Sequence, residues 1–305
     1  MNEKSKQIAA NILMVFGSII WGGAFVAQSI GADNLGAFTF GAIRFFIGGI
    51  IIIPVAVIMS KRKDKKADTA TTKDYLIAGV ACGAALFLGA YFQQLGLGYT
   101  TAGKAGFVTA LYIILVPIFG FVLFKRRLSS RVMVATLAAL VGIFLLCVSG
   151  GFGINIGDLY VFIGSLFWAA QILLIDKFAQ KLDGIKFAIC EFLSCAAMGA
   201  VAMFIFEKPT WAAIQSAWLP LLYCSVLSVG VGFTAQIICQ KYTEPTVASL
   251  LMSSESVFSV IFGFLILHEA LTGRQIVGCV LVFAAVLLAQ ITPGQKKRIQ
   301  KEEAE

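Results

Sequence analysis

IFGFVLFKRRLSSR at residues 118–131 returns 143 positions later as IFGFLILHEALTGR at residues 261–274. Each copy is an apolar run, a short polar turn and the start of another apolar run. Leu and Ala recur by chance in any apolar chain, but a shared IFGF and a turn closing on Arg131 and Arg274 do not. At the same offset, Gly89 matches Gly232, Gln93 matches Gln236, Tyr99-Thr100 matches Tyr242-Thr243, Ala105 matches Ala248 and Tyr112 matches Glu255. Earlier in the chain the offset is 147, and it relates Gly17-Ser18 to Gly164-Ser165, Trp21 to Trp168, Phe40 to Phe187, Arg44 to Glu191 and Phe45 to Phe192. The four extra residues fit a longer linker after the second apolar run. The chain therefore reads as one unit written twice.

Each unit holds five long apolar runs. They cover approximately residues 8–30, 35–58, 74–97, 102–124 and 130–149, then 157–176, 185–206, 217–240, 246–267 and 274–292. With 59% hydrophobic and 13% charged residues in a chain of 305, the apolar content exceeds what one water-soluble core hides. A bilayer accepts it, at ~20 apolar residues per helical span. Only helices and closed barrels satisfy the backbone in lipid, and runs this long specify helices. The first run, Ile8 to Ile30, exceeds a signal-peptide core and reads as a retained helix.

Lys and Arg placement sets the orientation. With the amino terminus inside, the inner segments hold 20 basic residues and the outer segments three, namely Lys104, Lys208 and Arg274. One span too many or too few would scramble that alternation. The predicted location is the bacterial inner membrane, multi-pass, with both termini cytoplasmic. Residues 61–73 read as a solvated cytoplasmic linker and 293–305 as a cytoplasmic tail. The net charge of +8 lies in short clusters between spans, which points to anionic lipid head groups and away from nucleic acid. The seven cysteines lack metal-ligand spacing and read as small apolar packing residues. With His268 as the single histidine, no histidine-based metal site or Ser/His/Asp triad is expected. The Gly-rich run 150–157 lacks the strand–turn–helix setting of a nucleotide loop, so no cofactor is expected.

Five is odd, so the second copy enters the membrane upside down relative to the first. The predicted fold is an all-α membrane protein of ten transmembrane helices, arranged as two inverted five-helix repeats (8–149 and 157–292) around a central cavity. Inverted-topology repeats recur in secondary transporters, with the substrate site between the repeats.

Three segments carry a resemblance to a known family. WGGAFVAQ (21–28), LGLGYTTAGKAGFVTALYIILVPIFGFVLF (95–124) and SSESVFSVIFGFLILHEALTGRQIVGCVLVFAAVLL (253–288) resemble the EamA-type family of the drug/metabolite transporter superfamily. Pro117 matches the family's helix-4 proline, and Glu269 with Leu271-Thr272 matches a Glu-x-Leu-Thr signature. The resemblance implies ten helices, a central cavity and transport of a small metabolite or amino acid, often outward. Ser256 departs from it, because helix 9 more often has proline after the glutamate.

Ionisable groups inside a membrane cost ~2.5–3.5 kcal/mol or more, so they face a cavity or a partner. Glu255, in the polar patch Ser253–Ser256, is read either as a coupling group, holding a proton or an ammonium, or as a structural glutamate. Arg44 is read as reaching toward Glu255, binding a substrate carboxylate bidentately, locking helices, or snorkelling outward. Glu191 is read as structural. Trp21 with Gln28 and Trp168 with Gln171 share helix faces, forming either an aromatic wall with amides or a packing seam. Tyr112, the repeat mate of Glu255, is a further substrate-binding or coupling candidate; Gln93 and Gln236, with Tyr91 and Gln94, are read as cavity lining, with interhelical hydrogen bonding as the alternative. Gly79 and Gly83 are expected at a close helix contact and Pro117 at a kink.

Taken together, these residues predict a secondary transporter of a small metabolite such as an amino acid, an exporter by analogy, working by alternating access with the proton as a candidate coupling ion. A passive channel or facilitator on the same scaffold is the alternative. An enzyme is not expected, since no nucleophile or metal ligand set stands out. The partners are then a small-molecule substrate and the lipid bilayer, with the chain a monomer or homodimer.

Overall fold

The fold, taken from a computed structural model, describes residues 3–62, 70–100, 102–125, 129–147, 155–267 and 272–290. The tail 293–305, most of the 61–73 linker, the Gly-rich run 150–154 and the positions of His268, Glu269 and Leu271 lie outside the described residues.

The described residues are helical throughout, without strands. In chain order the helices are α1 (Glu3–Ala32), α2 (Ala37–Arg62), α3 (Thr72–Leu97), α4 (Ala102–Ala110), α5 (Tyr112–Phe124), α6 (Ser130–Cys147), α7 (Ile156–Ala179), α8 (Gly184–Phe206), α9 (Trp211–Ser216) and α10 (Trp218–Tyr223). A π-helical stretch, Cys224–Phe233, continues α10 into α11 (Thr234–Gln240), and α12 (Pro245–Met252), α13 (Glu255–Leu267) and α14 (Gly273–Gln290) complete the chain. Eight segments are long and apolar enough to cross a membrane, among them Ala105–Phe124, Trp218–Gln240 and Pro245–Ile266, each assembled from consecutive helices. Two shorter apolar helices, Ser130–Leu145 and Gly273–Leu288, stand beside them.

Polarity is reversed relative to a soluble bundle. Phe121, Val122, Phe204, Phe206 and Leu265 stand on the exterior, while Gln28, Arg44, Gln93, Gln171, Glu191, Gln236 and Glu255 are buried. Such an exterior suits hydrocarbon, and buried polar groups then need partners within the protein.

Helix starts are set locally. Thr71 and Asp74 form a capping box at α3, and Asn155 with Asp158 forms another at α7. The start of α2 is capped from a distance, since Glu207 accepts from the backbone N–H groups of Phe38 and Thr39 at 3.0 and 2.8 Å.

Glycine lets the helices approach. A Cβ on Gly79 would sit 2.6 Å from Cys190 of α8, and one on Gly83 would sit 2.8 Å from the Glu191 carbonyl. The Gly79–Gly83 step is thus a close helix contact, as its spacing predicted. Gly142 lets α6 cross α14 against the Gly278 carbonyl. In the wider packing α2 crosses α8, α1 lies against α13, α7 against α4 and α5, α3 against α7, and the π stretch against α1 and α2.

Candidate functional site

Two spans are interrupted, and the interruptions position the site. Between α4 and α5 the chain tightens at Leu111, where Leu111 N–H donates to the Val108 carbonyl and Ile114 N–H to the Leu111 carbonyl. Pro117, expected at a kink, lies inside α5, six residues beyond this break. Between α12 and α13 the chain tightens at Ser253–Ser254, with Ser256 N–H donating to the Ser253 carbonyl and Val257 N–H to the Ser254 carbonyl. This second break forms without proline. The hydroxyls of Ser253 and Ser254 donate back to the Leu250 and Leu251 carbonyls at 2.8 and 2.7 Å, a local competition with the helix ladder. From α1, the Ser18 hydroxyl reaches the Leu251 and Met252 carbonyls at 3.3 and 3.2 Å, which ties α1 to the break.

The first residue after each break is Tyr112 or Glu255, and the Tyr112 hydroxyl donates to Glu255 Oε1 at 3.1 Å. Both line a cavity of about 510 Å³, measured with its opening to solvent. The same cavity is lined by Trp21 and Gln28 of α1, Arg44 of α2, Gln93 of α3, Trp168 and Gln171 of α7, and Gln236 of α11. These nine candidates thus meet in one space, drawn from seven helices, whereas Tyr91 and Gln94 are not in its lining: Tyr91 stacks on Phe38, and Gln94 Nε2 donates to the Gln28 carbonyl at 3.0 Å.

Their polar atoms form a network. Arg44 Nη1 donates to Gln28 Oε1 at 2.6 Å, and Gln93 Nε2 reaches the same oxygen at 3.5 Å. On the other side of the cavity Gln236 Nε2 donates to Gln171 Oε1 at 3.1 Å, and Gln171 Nε2 donates to Glu191 Oε1 at 2.9 Å. Each member of the sequence-matched pair Arg44 and Glu191 is thus joined to a cavity glutamine of its own half. Gln28 and Gln171 are not related by the offset of 147, yet they take matching parts. The Arg44 guanidinium also stands 4.9 Å from the centre of the Phe45 ring, a cation–π contact for a buried cation.

Known proteins share this sequence pattern. The family model described as "EamA-like transporter family" matches residues 8–148 and 155–290. This chain belongs to the EamA-like transporter family. An "Uncharacterized transporter" of Archaeoglobus fulgidus is 30% identical over 95% of this chain and 88% of its own length. The "Uncharacterized transporter YoaV" of Bacillus subtilis is 26% identical over 92% of this chain and 96% of its own. The "Aromatic amino acid exporter YddG" of Ancylobacter novellus is 24% identical over 66% of this chain and 70% of its own. A solved crystal structure at 21% identity superposes with a TM-score of 0.76 over 93% of this chain and 98% of that one, which shows a shared fold. The chain is accordingly a multi-pass membrane transporter of the drug/metabolite superfamily, and a non-enzymatic role is consistent with these relatives.

In this EamA-like transporter Arg44 turns to Gln28 and not toward Glu255, contrary to one sequence-based reading. Gln28 Oε1 of α1 accepts from Arg44 Nη1, while the Glu255 carboxyl accepts from Tyr112. Glu191, read as structural, is fully buried and tied to the cavity only through Gln171. The glutamines satisfy both readings offered for them, lining the cavity and bonding between helices.

Sequence reasoning missed Phe233. Its ring stacks on Trp168 at 5.7 Å and 8°, and meets Trp21 at 5.1 Å and 51°. It is the middle member of an aromatic triad in the cavity wall of this EamA-like transporter. One phenylalanine among 26 carries no sequence signal. Ser228, Thr109 and Met252, also in the lining, were missed for the same reason. So was the π stretch, which no propensity rule marks.

Proposed function

We propose that this protein is a secondary transporter that moves a small amphipathic metabolite, amino acids first, by alternating access, and that its physiological direction is export. The observation that carries the reading is the convergence of Arg44, Glu255, the four glutamines and the Trp21–Phe233–Trp168 wall on one buried cavity. An arginine edge suits a carboxylate, a carboxylate suits an ammonium or a proton, and stacked rings suit a flat apolar body. The export direction and the amino-acid class draw support from the distant relative named as an aromatic amino acid exporter.

The same reading takes the chain as ten spans in two inverted halves, 8–149 and 157–292. The matched bonds Gln93 to Gln28 and Gln236 to Gln171, each 65 residues apart, support it, as does the pairing of α6 with α14 and α2 with α8. The excess of basic residues on alternate loops supports a cytoplasmic position for both termini in a bacterial inner membrane. The lipid bilayer and the small-molecule substrate are the partners in this reading, and the proton is the coupling ion.

The test is counterflow into proteoliposomes with a panel of amino acids, vitamins and nucleobases. A carrier accumulates labelled substrate transiently against internal unlabelled substrate. A passive channel on the same scaffold gives equilibration without that overshoot, and such a result would replace the carrier reading.

A further inference from the structure

The two cavity tryptophans are held unequally. Trp168 Nε1 donates to Gln93 Oε1 at 2.9 Å. Trp21 Nε1 is buried without a hydrogen-bond partner, although Trp21 lines the cavity. Their surroundings are nonetheless matched. Gly89 leaves room for the Trp168 ring, which a Cβ there would meet at 3.2 Å; Gly232 leaves room for Trp21, whose Nε1 a Cβ there would meet at 2.8 Å. Gln93 and Gln236 each stand one helical turn beyond their glycine. Their amide nitrogens bond to matching partners, Gln28 and Gln171. The halves differ in the indole bond, made by Trp168 and unmade by Trp21. They also differ in the helix beneath: α3 is α-helical through Gly89 and Gln93, whereas Gly232 lies at the end of a ten-residue π stretch just before Gln236. A π turn holds an extra residue, so it rotates the helix beyond it and is a site where a helix changes register.

We propose that Gln93 and Gln236 are positioning residues that hold the two tryptophans in turn. In the state described, Gln93 holds Trp168, and the Trp21 indole N–H, packed against Gly232, has no partner. In the state open to the opposite side, Gln236 holds Trp21 and Trp168 is released. This rests on the inverted-repeat, alternating-access reading above. The physical basis is that a buried N–H without a partner is costly, so each glutamine relieves one indole in one state and the unpaired N–H passes from Trp21 to Trp168 between them.

The experiment uses the full chain with its native cysteines replaced, in membrane vesicles of either sidedness. Ala24→Cys, on the cavity wall, is titrated with a small membrane-impermeant thiosulfonate from each face. Trp168→Phe deletes only the N–H that is bonded here, and Trp21→Phe deletes only the N–H that is unpartnered here. The expected result is opposite shifts in the ratio of labelling rates from the two faces, each about two- to tenfold, the weight of one neutral hydrogen bond. Trp168→Phe reduces access from the face that labels faster in the parent, and Trp21→Phe increases it. Gln93→Met and Gln236→Met, which leave the rings intact, should shift in the same direction as Trp168→Phe and Trp21→Phe respectively. A purely structural role would move Trp168→Phe and Trp21→Phe the same way. Shifts of the same sign, or none beyond twofold in the folded proteins, overturn the proposal while leaving alternating access standing. Labelling of the parent from a single face under every substrate gradient, together with absence of counterflow, would remove alternating access itself and this inference with it.

Discussion

Tyr112 donates a hydrogen bond to Glu255 across 3.1 Å, and each of the two opens a helix immediately after a break in its span. The bond therefore ties together the two points where the helices tighten out of register. Within the pair, the carboxyl is the group to which the proposed proton coupling assigns the exchange. Glu255→Gln keeps an acceptor for Tyr112 and removes the exchangeable proton. The expected outcome is a folded protein whose counterflow continues but no longer responds to external pH. Tyr112→Phe should retain the pH response and lose stability by about 0.5–1.5 kcal/mol, the net worth of one hydrogen bond. Transport rates over a pH series, with thermal unfolding in detergent, check both. An unchanged pH response in Glu255→Gln would remove this carboxyl from coupling.

Arg44 contributes a planar fork, one nitrogen of which is held by Gln28 at 2.6 Å. Its Nε is buried and unpartnered on the cavity wall. Arg44→Gln should abolish the preference for substrates that carry a carboxylate over their amide analogues. Arg44→Lys should not restore it, because an ammonium lacks the fork geometry. Competition of carboxylate and amide pairs in the counterflow assay measures this. Equal discrimination in the variant and the parent would exclude Arg44 from binding.

Gly89 and Gly232 differ in the room that they leave. A Cβ at Gly89 meets the Trp168 ring at 3.2 Å, which a small tilt relieves, while a Cβ at Gly232 meets Trp21 Nε1 at 2.8 Å beside Phe233. Overpacking of this kind costs about 1–3 kcal/mol. Gly232→Ala should lower thermal stability more than Gly89→Ala, and melting curves in the same detergent rank them.

Glu207 lies between α8 and α9 and accepts from two backbone N–H groups and the Thr39 hydroxyl at the start of α2. Truncating a helix cap costs about 0.5–2 kcal/mol. Glu207→Ala should destabilise by that amount, and Glu207→Gln by less, with the substrate profile unchanged in both. Thermal melts paired with counterflow separate this effect from the effects of the cavity variants.

The residues that converge on the cavity were legible because of where they stand. Arg44, Glu255 and the glutamines are expensive in lipid, so a polar side chain inside an apolar run announces an interior position regardless of its neighbours. Trp21 and Trp168 announced themselves by sitting far from the interfacial belts. Phe233 could not, because an apolar ring costs nothing in lipid and reads the same whether it faces the bilayer or the cavity. The break before Tyr112 carried no such marker, since proline is the visible helix breaker and Pro117 lies inside α5, beyond the break. The chain instead tightens at Leu111, opposite the serine break at Ser253–Ser254.

Taken alone, the amino-acid order determined the membrane location, the apolar runs, the family and the membership of the polar set. These come from transfer free energies that add residue by residue and from motifs that recur along the chain. Only the tertiary structure decided which polar group holds which: Arg44 with Gln28, Tyr112 with Glu255, Trp168 with Gln93, and Trp21 with none. A hydrogen bond depends on distances of a few tenths of an ångström between helices far apart in sequence. Helix crossing, the π register and the room left by Gly89 and Gly232 set those distances, and no local rule encodes them.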